Sequence, residues 1–68
     1  MKNNLAKLRN KRSLTQAKLA EILGANQKTV SSWENGRRTP KYAMMQKIED
    51  FFGEPKEKIF FDAFTYSK

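Results

Sequence analysis

The chain contains no cysteine and no histidine among its 68 residues. Disulfide bonds and thiolate chemistry are therefore excluded, and so are nearly all zinc and haem sites, because these two side chains are their usual protein ligands. The absence of histidine also removes the side chain that most often transfers protons near neutral pH. We therefore expect no metal, no cofactor and no enzyme activity.

Long apolar runs are missing as well. No segment approaches the roughly 18 consecutive apolar residues that a membrane span requires, and no apolar stretch follows the N-terminus as in a signal peptide. We therefore expect a cytoplasmic protein without a membrane partner. A chain this short has room for one small core, so we expect a single domain over residues 1–68, with a core at 4–60 and a tail at 61–68.

Positive charge is concentrated in the first part of the chain. The sequence has 14 Lys and Arg against 7 Asp and Glu, for a net charge of +7. Ten basic and two acidic residues fall in positions 1–41 (net +8), and four basic and five acidic residues fall in 42–68 (net −1). This asymmetry indicates a surface that faces a polyanion beside a surface with another role. Lysines that only maintain solubility are the alternative.

The spacing of apolar residues predicts five helices. Each predicted start is a polar capping residue or a proline, namely Asn3 or Asn4, Thr15, Asn26, Thr39-Pro40 and Pro55. The predicted inward side chains recur at helical spacing and are Leu5, Leu8, Leu19, Ala20, Ile22, Leu23, Val30, Trp33, Tyr42, Met45, Ile48, Phe52 and Ile59. The predicted fold class is therefore all-α.

Four aromatic residues crowd the end of the chain, at Phe60, Phe61, Phe64 and Tyr66. The alternation of Phe64 and Tyr66 permits a short strand or an extended tail after the helices. The rings either complete a small core or cover a partner subunit, since exposed aromatic surface is unusual on a small monomer.

Residues 15–36 have the pattern of two short helices joined by a tight turn. Gly24 suits the left-handed backbone of the turn, and Ala20 lets the two helices approach closely. At 100° per residue, Val30, Trp33 and Glu34 share the inward face of the second helix of this pair. Lys28, Ser32 and Asn35 share the outward face, which suits hydrogen bonding to base edges. The outward set is equally the polar side of an ordinary amphipathic helix.

The combined pattern resembles the Cro and phage-repressor type of helix-turn-helix, a family of small regulators with a compact five-helix, lambda-repressor-like fold. The residues that carry the resemblance are Leu14, Thr15, Gln16, Leu19, Ala20, Gly24, Val30, Ser31, Glu34, Asn35 and Gly36. The resemblance covers roughly residues 4–60. Ser13 departs from it, because relatives often have glycine there, and Pro55 displaces a frequent serine cap.

The resemblance implies roles for individual positions. Gln27, Lys28, Thr29 and Ser32 match the residues that read base edges. Gln16, Asn35, Arg37 and Arg38 match contacts to DNA phosphates, the two arginines by location rather than by identity. Arg9 and Glu34 occupy positions that form an ion pair in some relatives.

These roles predict a sequence-specific regulator of transcription, in the form of a repressor, that binds double-stranded DNA as a homodimer on a near-palindromic site. The candidate dimer surface is Phe60, Phe61, Phe64 and Tyr66. The alternative is a protein-interaction module of the same fold, such as an antitoxin or anti-repressor. We reject enzyme chemistry because the side-chain carboxylates of the second half are expected to be solvated, namely Glu49, Asp50, Glu54 and Glu57. No pocket for a small-molecule ligand is evident either.

Overall fold

The computed structural model describes residues 3–64, and the backbone of this range is all-helical, as predicted. The helices are α1 (Leu5–Lys11), α2 (Gln16–Leu23), α3 (Gln27–Glu34), α4 (Tyr42–Phe52), α5 (Lys56–Ile59) and α6 (Phe61–Phe64). The first five correspond to the predicted helices. The sixth is an additional short segment that contains Phe64, so the strand that alternation permitted at this position does not form, and Tyr66 lies outside the described residues.

Three of the predicted caps act through their side chains. Thr15 Oγ1 accepts a hydrogen bond from Lys18 N at 3.0 Å, and Asn26 Oδ1 accepts one from Thr29 N at 2.8 Å. At the first helix, Asn3 Oδ1 accepts a bond from Leu5 N at 3.1 Å. These bonds satisfy backbone N–H groups that have no partner inside the first turn of a helix.

The predicted start of the fourth helix is wrong by two residues. Thr39 and Pro40 lie before the helix, and the N-cap is Lys41, whose side chain makes no capping bond. Pro40 is buried in the connecting segment instead of occupying the first turn. Lys41 has an extended backbone at φ −69° and ψ 160°, so the helical conformation begins only at Tyr42.

The core draws side chains from all of α1 to α5. Its buried apolar members are Leu5, Leu19, Ala20, Leu23, Val30, Trp33, Met45, Ile48, Phe52, Ile59 and Phe60. Two residues predicted to point inward do not, since Ile22 is 40% exposed and Tyr42 is 66% exposed. Tyr42 is the first residue of its helix, and its ring lies 5.1 Å from the ammonium of Lys56.

The α4 helix also supplies the cap that Pro55 does not provide for α5. The Glu49 carboxylate accepts hydrogen bonds from Lys56 N at 2.9 Å and from Lys56 Nζ at 3.0 Å. The bond from the backbone N–H, followed by that from the ammonium, lowers the pKa of Glu49 below its ordinary value. The bond to Glu49 raises the pKa of Lys56 above its ordinary value. Within residues 3–64, no helix is long and apolar enough to cross a membrane.

Candidate nucleic-acid interface

The turn between α2 and α3 is held by backbone conformation and by one lysine. Gly24 ends α2 with a left-handed backbone at φ 74°, as predicted from its position. A side chain at this position would be strained because L-residues rarely adopt positive φ. Lys47 Nζ donates a hydrogen bond to the Leu23 carbonyl at 2.9 Å and so fixes the C-terminus of α2 to α4. The direction in which α3 leaves the turn is therefore set by the body of the protein.

One face of α3 packs into the protein, and the opposite face is left open. Val30 is fully buried, Trp33 is 5% exposed and Glu34 is 8% exposed, which agrees with the predicted inward face. Lys28 and Asn35, on the predicted outward face, are exposed, and Ser32 is partly exposed. The polar side chains on the outward face are therefore accessible to a partner.

The predicted ion pair between Arg9 and Glu34 is present and is bidentate. Arg9 Nε lies 2.6 Å from Glu34 Oε2, and Arg9 Nη2 lies 3.1 Å from Glu34 Oε1. The hydrogen bonds to this carboxylate, and its charge, raise the pKa of the Arg9 guanidinium above its ordinary value. The pair fixes the last turn of α3 to α1, and it neutralises the one carboxylate that α3 carries.

Gln16, a predicted phosphate contact, is joined to the same carboxylate. Its Nε2 donates a hydrogen bond to Glu34 Oε1 at 2.9 Å. An amide nitrogen carries two hydrogens, so one remains for a second acceptor. The resulting arrangement places the first residue of α2 beside the last residue of α3, on one flank of the outward face.

The loop after α3 folds back along the other flank. Gly36 adopts a positive φ of 77°, and the backbone N–H groups of Arg37 and Arg38 both approach the Ser32 carbonyl, at 3.0 and 3.3 Å. Both arginine side chains are exposed. These bonds hold the loop against the last turn of α3 instead of leading it away.

Three of the four predicted base-reading residues line one shallow concavity. Its walls are Asn26, Lys28, Thr29, Ser32 and Arg38. Gln27 is exposed but lies outside it. Because the loop folds back, the concavity brings the start of α3 together with Arg38, which follows Lys28 by ten positions in the sequence.

The charge of this surface is positive. Lys28, Arg37 and Arg38 are exposed, and no carboxylate among the described side chains forms an ion pair with any of them.

Thr29 and Glu34 are five positions apart, which places them about 140° apart around α3. The concavity next to Thr29 and the Gln16 contact to Glu34 are accordingly on opposite sides of the exposed face.

One of the predicted dimer residues is buried in the core of its own chain. Phe60 is 1% exposed and belongs to the core of the same chain, so it is not available to a partner in this conformation. Phe61 is 42% exposed and Phe64 is partly exposed, while Tyr66 lies outside the described residues. Phe60 directly follows the last residue of α5, and its ring belongs to the same buried cluster as Ile59.

Sequence analysis missed two roles, one of a residue that lines the concavity and one of a buried residue that holds α3 in place. Asn26 was predicted only as a cap, although its side chain also lines the concavity. Asn3 Nδ2 donates to the Trp33 carbonyl at 2.8 Å, which ties the N-terminal segment to the end of α3. The i to i+3 cap of Asn26 was readable from local sequence, but no local signal indicates a bond that spans 30 residues.

The acidic side chains that the structure describes in the C-terminal half do not gather into a reactive cluster. Glu49 is paired with Lys56, and Asp50 accepts a bond from Gln46 at 3.1 Å. Among the residues that the structure describes, no group of three or more potential ligands is placed to hold a metal ion.

The chain matches the model of a known protein family. A family model described as helix-turn-helix matches residues 5–59, which is most of the chain. No curated protein matches the chain. The matched range begins at the first residue of α1 and ends at the last residue of α5.

Proposed function

Because the chain belongs to the helix-turn-helix family of the Cro and phage-repressor type, we propose that this DNA-binding regulator is a sequence-specific repressor that reads the major groove with α3. The observation that carries the proposal is the outward face of α3. This face combines exposed Lys28 with the hydroxyl groups of Thr29 and Ser32. The only carboxylate of α3, Glu34, is turned inward and paired with Arg9.

The side chains on this face suit the chemistry of base edges. Lys28 is able to reach the O6 and N7 acceptors of guanine, and the amide of Gln27 is able to pair bidentately with adenine. The hydroxyl groups of Thr29 and Ser32 both donate and accept hydrogen bonds. A negatively charged group on this face would be repelled by phosphates, and none is exposed there.

Phosphate contacts are proposed on both flanks of α3. On one flank, the free amide hydrogen of Gln16 and the backbone at the start of α2 suit an anion. On the other flank are Arg37 and Arg38, and Asn35 lies on the outward face between the flanks; all three are exposed. The two flanks correspond to the two strands that border a groove. Each neutralised phosphate contributes about −0.9 to the slope of log affinity against log salt concentration. Binding should therefore weaken sharply as the salt concentration rises.

Specific binding is proposed to require two copies of the chain. A single module of this size buries only about 600–1,000 Å² of protein surface on DNA. Two α3 helices about 34 Å apart reach successive major grooves of a near-palindromic site. We place the contact between copies at Phe61 and Phe64, in the nearly neutral part of the chain, because the strongly basic residues 1–41 then face DNA.

Selection of bound sites from random duplex DNA at fixed salt tests the proposal. The native protein should enrich a symmetric motif, and Lys28→Ala and Ser32→Ala should relax particular bases in it. Lys58→Ala is the matched control, because it removes the same charge as Lys28→Ala from an exposed position on α5. A protein-interaction module would enrich no sequence. Equal effects of the Lys28 and Lys58 changes would also contradict the proposal.

A further inference from the structure

The capping residue of α3 has an amide with a fixed orientation. The atom of Asn26 that faces Thr29 N, at 2.8 Å, must be Oδ1, since a backbone N–H only donates. The Nδ2 group is consequently directed away from that N–H. Within residues 3–64, no hydrogen bond uses Asn26 Nδ2, and the residue is exposed.

The concavity that Asn26 lines is rich in donors. Lys28 and Arg38 carry only donors. Asn26 contributes an Nδ2 group with no hydrogen-bond partner among residues 3–64, while its oxygen already accepts the capping bond from Thr29 N. The hydroxyl groups of Thr29 and Ser32 adapt to either role. No carboxylate lines the concavity. A ligand edge that presents acceptors therefore suits this surface better than one that presents donors.

We propose that Asn26 is a specificity-determining residue and that the concavity it lines selects guanine in the DNA site, an inference that rests on the proposed function. An asparagine with a free side chain reads adenine, because its oxygen accepts from adenine N6 while its nitrogen donates to N7. The oxygen of Asn26 already accepts the capping bond from Thr29 N, so its amide is not free to turn and present both groups to adenine. Guanine presents two adjacent acceptors, N7 and O6, whereas adenine places an N6 donor where the concavity also has donors.

The charges beside Asn26 favour the same base. Lys28 and Arg38 strengthen the preference for acceptors, and neither is neutralised by a described carboxylate. Arg37 is adjacent to Arg38 in sequence but does not line the concavity. Arg38 is therefore positioned beside the base, whereas Arg37 contributes only positive charge near the concavity.

The test uses Asn26→Ser and Asn26→Asp in the full chain. Serine and aspartate cap helices about as well as asparagine, so α3 keeps its first turn, and both lack the amide donor. Competition binding at fixed salt compares the selected duplex with duplexes in which each guanine·cytosine pair is replaced in turn by adenine·thymine. At one position in each half-site, Asn26→Ser should reduce the preference for guanine by about fivefold or more. Asn26→Asp should remove that preference and weaken binding to both duplexes.

Arg37→Ala is the matched control, and it should weaken binding to both duplexes by the same factor. An unchanged guanine preference in both Asn26 variants, or a loss that falls at an adenine, would overturn the role of Asn26. The regulator assignment would survive that result if Lys28→Ala still changes the selected motif. Failure of the native protein to enrich any sequence would overturn the proposed function and this inference with it.

Discussion

Replacement of Arg9 by methionine removes the ion pair that ties α1 to the end of α3. The side chains of Arg9 and Glu34 are 13% and 6% exposed, so the pair is largely buried. Arg9→Met also removes the bond from Arg9 Nη1 to the Leu14 carbonyl at 2.8 Å. The Glu34 carboxylate would retain only the amide of Gln16 as a partner.

Removal of one partner from a buried pair costs about 3–5 kcal/mol. We expect a loss near the lower limit, about 3 kcal/mol, because Gln16 still donates to the carboxylate and water reaches the pair at its exposed edge. For a domain of this size, such a loss lowers the midpoint of thermal unfolding by about 12–24 °C.

Urea unfolding followed by the fluorescence of Trp33 measures this loss, since Trp33 is the only tryptophan and is 5% exposed in the core. The double variant Arg9→Met with Glu34→Leu should recover most of the stability, because an apolar pair leaves no buried charge without a partner. A loss below about 1 kcal/mol in Arg9→Met, typical of an exposed pair, would refute the reasoning. Failure of the double variant to recover stability would also refute it.

Two further predictions concern the backbone at Ser13 and the Glu49 carboxylate that caps the start of α5. Ser13→Gly should stabilise the protein by about 0.5–1 kcal/mol, because Ser13 has a left-handed backbone at φ 57° that glycine adopts without strain; a lower urea midpoint would contradict this. Because the folded pKa of Glu49 is lowered, its contribution is present above the unfolded pKa of about 4.3 and is lost as pH falls through the folded value. The urea midpoint of Glu49→Gln should therefore fall less between pH 6 and pH 3 than that of the native protein, and equal pH dependence in the two proteins would contradict the assignment.

Local sequence was sufficient to predict most helices and the inward face of α3. Thr15, Asn26 and Gly24 act within one helical turn of themselves, so their roles depend little on the rest of the chain. Val30, Trp33 and Glu34 follow from helical periodicity alone. The partner of Glu34 was predicted from the family resemblance, and the pair is present in the structure.

Long-range packing explains the parts that local sequence did not predict. Helical periodicity placed Tyr42 inward, but the helix starts at Tyr42 and its ring lies over Lys56 from α5. Phe60 directly follows α5 and is buried in one cluster with side chains from α1 to α5. The bonds of Asn3 to Trp33 and of Gln16 to Glu34 join residues that are 30 and 18 positions apart.

Methylation protection of the selected duplex tests most directly whether α3 enters the major groove. Dimethyl sulfate methylates guanine at N7, which is in the major groove, and adenine at N3, which is in the minor groove. We predict that the protein protects guanine N7 in both half-sites and that Lys28→Ala reduces this protection. Unprotected guanine N7 throughout a specifically bound site, or protection confined to adenine N3, would contradict the account.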